Sequence, residues 1–292
     1  MVNKKEGNVC DDFKNLEKLY HFTKYETALA ILRSGALRFG RLDKMNDIHE
    51  SCKLIYLQEK RFENSMDCKK TGLLLDYAMA EYSLYRQISL TMDKKKGKGG
   101  FKHGFDLHQM WGHYGEKGDG VCLVFDKEKM LKIFENQCKA DIIKHQEIAY
   151  QDEICSDIDV EANNLEEVKQ YISTHLESIY FCKRKEWEHE QEYRLIKRCS
   201  NPHNEEYLYY LDALKYIIVC NVNSEKDRIL YYDKISRLKI AALVNDKPIP
   251  ILIYGNGLNN YALDEENNKT LWSTEFGYEF PNIGDKGWSL DI

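Results

Sequence analysis

The chain has 292 residues, with 43% hydrophobic and 31% charged, a balance that fits a packed core under a solvated surface. A net charge of −6 gives no global field pulling it toward nucleic acid. The polar start Met1–Gly7 excludes an ordinary secretory signal, no segment reaches the roughly 20 apolar residues of a membrane span, and the 9 cysteines include no CxxC pair.

These features predict a cytoplasmic chain with free thiols, without membrane association or a structural metal. With 4 prolines and no Pro/Gly/Ser-rich stretch, one continuous domain over 1–292 is expected. Leu19-Tyr20-His21-Phe22 is a short β-prone run. Thr23 and Glu26 stand at capping-box spacing for a helix start, Leu29, Ile31 and Leu32 form an apolar stripe, and Gly35 is placed as its stop. Leu37 and Phe39 alternate with Ala36 and Arg38, predicting a second strand. Strand, helix and strand in this order suit either α/β or α+β packing.

Leu54–Arg61 and Leu73–Tyr85 read as helices, although Leu54-Ile55-Tyr56-Leu57 also suits a strand. Ile88–Thr91 is a predicted strand that runs into Lys94–Lys102, a Lys/Gly segment predicted as a mobile loop. Leu107–Tyr114 reads as a short helix and Gly120–Phe125 as the clearest buried strand. Cys122 and Cys220 lie in apolar runs and read as small core residues. Ile142–Tyr150 is expected extended and Leu165–Phe181 helical. Glu192–Ile196, Tyr207–Leu211 and Tyr216–Cys220 are expected strands, Ser224–Leu238 a helix and Ile249–Tyr254 a late strand. From Gly255 onward, Asn, Gly and aromatics predict irregular structure.

Several groups carry chemistry or imitate it. A strand that begins near Glu190 places Glu190, Glu192 and Arg194 on one face. Two carboxylates so close repel and raise the pKa of one, with Arg194 offsetting part of the effect. The plain reading of such a pattern is a solvated charged face. Trp111 and Tyr114 are three apart on a helix and both suit a core. Asn46 and Asp47 suit a turn. Asp47, His49 and Glu50 could hold a divalent ion, as a metal-dependent nuclease would need. Lys94–Lys102 is either a solvated loop or an arm for phosphates, with Phe101 available to stack on a base.

The strand Tyr20-His21-Phe22-Thr23, a short helix, and then Gly35-Ala36-Leu37-Arg38-Phe39 resemble the opening of the ADP-ribosyltransferases that use a histidine in their first motif. Poly-ADP-ribosyl enzymes and DNA-modifying toxins share that opening. Glu190-Gln191-Glu192 opening a strand resembles their third motif. Ser89 and Thr91, then Trp111 and Tyr114, stand in the order of the middle motif without matching it residue for residue. A second resemblance, over Leu19 to Val222, is to a widespread bacterial family of unannotated proteins. Met45-Asn46-Asp47 with Glu50, Met110-Trp111-Gly112-His113-Tyr114 with Gly120-Val121-Cys122 and Phe125, and Trp187, Glu190, Glu192 and Arg194 carry it.

The first resemblance implies an α+β domain with a split, mostly antiparallel sheet, its core about 19–254. It implies NAD as substrate, bound through His21, Thr23, Ser89 and Tyr114, with His21 on a ribose hydroxyl and Tyr114 on the nicotinamide ring. Glu192 is then catalytic and Glu190 orients the acceptor. A carboxylate is wanted because breaking the nicotinamide–ribose bond builds positive charge on the ribose, as in glycoside cleavage. ADP-ribose would pass to a nucleic acid or protein acceptor, in a toxin or antiviral effector that a partner protein silences or activates. Alternatives are an NAD glycohydrolase, with water as acceptor, and a non-catalytic nucleotide-sensing or interaction module.

Overall fold

A computed structural model describes residues 12–13, 15–42, 45, 55–58, 68–95, 101–139, 142–152, 158–161, 164–220, 228–244, 247–255, 262–264 and 269–273. The chain forms two compact units, the first from Met1–Gly35, Met92–Lys129 and Leu211–Ile292, the second from Ala36–Thr91 and Met130–Tyr210.

The first unit opens with β1 (Lys18–Thr23) and α1 (Tyr25–Ser34). The second takes β2 (Ala36–Arg38), β3 (Gly40–Arg41), β4 (Ile55–Gln58), α2 (Cys68–Ser83) and β5 (Tyr85–Met92). Back in the first unit come β6 (Lys94–Lys95), β7 (Phe101–Lys102), α3 (His108–His113) and β8 (Val121–Asp126), with α4 (Lys127–Gln137) leading out. The second unit resumes with β9 (Ile143–Glu147), β10 (Ala149–Gln151), β11 (Ile158–Glu161), α5 (Leu165–Thr174) and α6 (Leu176–Tyr180). It ends with β12 (Cys182–Arg184), β13 (Glu192–Arg198) and β14 (Tyr207–Tyr209). The first unit closes with β15 (Leu214–Cys220), α7 (Arg228–Ala241), β16 (Leu243–Val244), β17 (Lys247–Pro248), β18 (Ile251–Gly255), β19 (Ala262–Asp264) and β20 (Lys269–Ser273).

In the first unit the strand order is β19-β20-β18-β15-β8-β1. All six residues of β8 are buried, as the apolar run Val121–Phe125 requires, and it pairs antiparallel with β1 and with β15. β15 and β18 run parallel, and α7 lies between them in sequence as the crossover that parallel strands need. Tyr20, Phe22, Phe105, Trp111, Cys122 and Ile218 share one apolar cluster.

The start of α1 departs from the expected capping box. Thr23 is the last residue of β1, paired with Val121, so it cannot also sit at the cap. Lys24 holds the cap position without a side-chain bond, and the Tyr25 N–H donates instead to the Glu116 carboxylate at 2.9 Å. Gly35 ends the helix as expected, with φ of 64° and its N–H donating to the Ile31 carbonyl. Gly120 is fixed by crowding, since a Cβ there would lie 2.4 Å from the Thr23 carbonyl oxygen. The segment expected as a loop after Asp93 is paired at both ends, Lys94 facing Lys102 and Lys95 facing Phe101.

The second unit centres on the order β3-β5-β13-β9, all antiparallel, with smaller pairs β2–β14 (antiparallel), β4–β11 and β10–β12 (both parallel). Its own core includes Ala78, Tyr85, Val168, Ile172, Phe181 and Ile196. Residues 55–58 form a strand, not a helix. The helix expected over Leu165–Phe181 breaks at His175 into α5 and α6, α5 being capped by the Asn164 side chain on the Glu167 N–H. Beyond Gly255, where irregular structure was expected, β19 and β20 form a hairpin. The protein is thus α+β, with mostly antiparallel strands. Among the described residues no helix is long and apolar enough to cross a membrane.

Candidate active site

Four charged side chains meet in the interior of the second unit. Glu192 and Arg194 lie on the face of β13 that carries Ile196 into the core, and Ser89 and Thr91 stand opposite them on β5. Glu190, Glu192 and Arg194 are 3%, 4% and 1% exposed, so the solvated charged face expected from their pattern is not what forms. Nor does the strand begin at Glu190. That residue ends a 3-10 turn over Lys185–Glu190, and Gln191 at φ 46° turns the chain into β13. A left-handed φ at a non-glycine residue is strained and concentrates at functional positions.

Lys183 on β12 supplies what the sequence reading lacked. Its Nζ lies 2.6 Å from Glu190 Oε2 and 3.4 Å from Glu192 Oε2, with the Trp187 ring 4.9 Å away. Arg194 grips Glu192 with two bonds, Nε to Oε1 at 2.7 Å and Nη2 to Oε2 at 2.8 Å. Its Nη1 donates to the Tyr180 carbonyl. The Glu192 N–H donates to the Tyr150 hydroxyl at 2.9 Å. Two cations and two anions therefore balance within a dry setting.

Burial alone would raise the Glu192 carboxyl, but the charges of Arg194 and Lys183 and hydrogen bonds from Arg194 and Ser89 hold it down to about 2. The charge of Arg194, then that of Lys183, outweighs burial, so no rise occurs at Glu192. Ser89, an exposed residue of β5, is the neighbour of Glu192 that lies at the surface. Thr91 Oγ1 and Gln191 Oε1, both buried beside Glu192, have no protein hydrogen-bond partner.

The remaining expected site residues belong to the first unit. His21 is half-buried on β1 opposite Leu123, and Thr23 is buried at the strand end. Tyr114 follows α3 and is partly buried against the first unit's apolar cluster. Trp111 is core: its ring nitrogen donates to the Phe105 carbonyl at 2.8 Å and its ring stacks on Tyr254. A cavity of about 20 Å³ bounded by Tyr25, Asp119, Gly120, Cys220 and Lys234 has room for one water, far too little for a nicotinamide ring. Burial, then the Asp119 charge, pushes the Cys220 thiol up to about 12, which leaves it inert. Asn46, Asp47, His49 and Glu50 lie outside the described residues. Among those described, no three His, Cys, Asp or Glu side chains are grouped to hold a metal.

Residues 110–195 match the family described as "Protein of unknown function (DUF2971)". That stretch includes the Met110–Tyr114 block and the acidic turn at Glu190–Glu192. No curated protein matches the chain, and no solved structure does.

Proposed function

We propose that this chain cleaves the nicotinamide–ribose bond of NAD and transfers ADP-ribose to a macromolecular acceptor. The observation that supports it is Glu192, a carboxylate kept ionised in a buried setting and fixed by Arg194 and Lys183. A rigid anion in a low-dielectric site is what the positive charge growing on ribose requires, and preorganisation spares the cost of assembling it during reaction. Glu190, 2.6 Å from the same lysine, is the second acid and takes the proton of the acceptor.

The test is nicotinamide release from NAD, with and without nucleic acid or cell extract. Release by the wild type that falls about 100-fold or more in Glu192→Gln, with folding checked by circular dichroism, supports the assignment. Glu190→Gln should keep bond cleavage and lose transfer. Folded protein that neither binds NAD nor releases nicotinamide sinks the reading. Release unaffected by acceptors would make the activity a glycohydrolase. One observation favours a second reading, a module without turnover: Arg194 occupies both Glu192 oxygens. NAD binding without turnover, unchanged in Glu192→Gln, decides for it.

A further inference from the structure

We infer that the ribbon β6–β7 is a docking site for single-stranded nucleic acid. The stretch Lys94–Lys102 holds five lysines and no acid, in a chain whose net charge is −6. The register sets Lys94 directly opposite Lys102, and both are exposed. Like charges across a strand pair destabilise it, and a polyanion relieves that repulsion. Lys95 is 78% exposed, and its ion pair with Glu17, at 3.4 Å, is shared with Lys127, which holds the other Glu17 oxygen at 2.8 Å.

The ribbon is rooted on one buried carboxylate. Asp93, just before β6, accepts from the Gly104 N–H at 3.1 Å and lies 3.3 Å from His103 Nδ1, both just after β7. The same side chain accepts from the Tyr20 hydroxyl at 2.7 Å and the Lys18 N–H at 3.0 Å. Both ends of the ribbon are thereby tied to β1, so its backbone presents the lysines from a fixed base. Phe101 faces Lys95 across the ribbon, half-exposed, with its ring centroid 6.5 Å from that of His103. An aromatic ring among lysines suits unpaired bases, whose faces are free to stack, over a duplex or a lipid surface. The site consists of Lys94, Lys95, Phe101 and Lys102 and does not depend on the NAD reading.

The test is fluorescence anisotropy of the full chain with labelled oligo-dT, a duplex of equal length, and anionic lipid vesicles. Three lysine–phosphate contacts predict that oligo-dT affinity falls about 20-fold between about 50 and 200 mM salt. In Lys94→Ala/Lys102→Ala the fall should shrink to about threefold. Phe101→Ala should weaken oligo-dT binding by at least about fivefold and Phe101→Tyr should restore it. Lys239→Ala, at an exposed lysine of α7, should change nothing. The inference is overturned by absence of oligo-dT binding at low salt, by binding indifferent to the Lys94, Lys102 and Phe101 substitutions, or by binding of duplex or vesicles equal to that of oligo-dT and indifferent to Phe101.

Discussion

Glu192 shows how much a single carboxyl group can contribute. Its pKa is lowered from 4.5 to about 2, so its stabilising effect is complete above about 4.5 and drains away as the pH falls toward 2. That shift corresponds to about 3 kcal/mol, and acid unfolding followed by tryptophan fluorescence should show most of the loss within that window. In Glu192→Gln the acid-dependent loss over this window should be smaller, because no carboxyl group remains there to be protonated. The same substitution leaves two buried cations facing one acid and should cost about 3–5 kcal/mol in urea. Adding Lys183→Met should deepen that cost, since buried Glu190 then loses the cation 2.6 Å from it. Strict additivity of the two changes would count against Lys183 as the link between the acids. The sequence made the acids and Arg194 visible as a group, but not their burial. Burial depends on Lys183, and its only local signal was a lysine two positions after the apolar run Ile179-Tyr180-Phe181.

Among the elements, β8 and α1 carry the sharpest tests. Gly120→Ala pushes a methyl into the Thr23 carbonyl and the Gly115 backbone, neither of which can yield cheaply. A loss of at least about 3 kcal/mol is expected in chemical denaturation. Glu116→Ala strips the cap from α1 and should cost about 1 kcal/mol, with faster hydrogen exchange at the Tyr25 amide. An unchanged exchange rate there would refute the cap. Elements fixed by local chemistry were readable in advance: the apolar run of β8, Gly35 at a helix end, and the alternation in β2. Features that depend on distant partners were not. Glu116 caps a helix 91 positions away in sequence. The short apolar run at Ile55–Gln58 suits either period, and its pairing with β11 decides for strand.

At the scale of the molecule, the chain leaves and re-enters each unit, and the order of synthesis follows from that weave. The second unit has all its residues once Tyr210 is made, while β8 still waits for β15, which covers one of its edges from Leu214 onward. A chain stopped after Tyr210 should therefore aggregate, measured by pelleting, where the full chain stays in the supernatant. The same wait occurs on every ribosome. An apolar strand with an open edge must be kept from its neighbours until β15 has been made, so translation pace and holding chaperones, as much as final stability, bear on the yield of this protein.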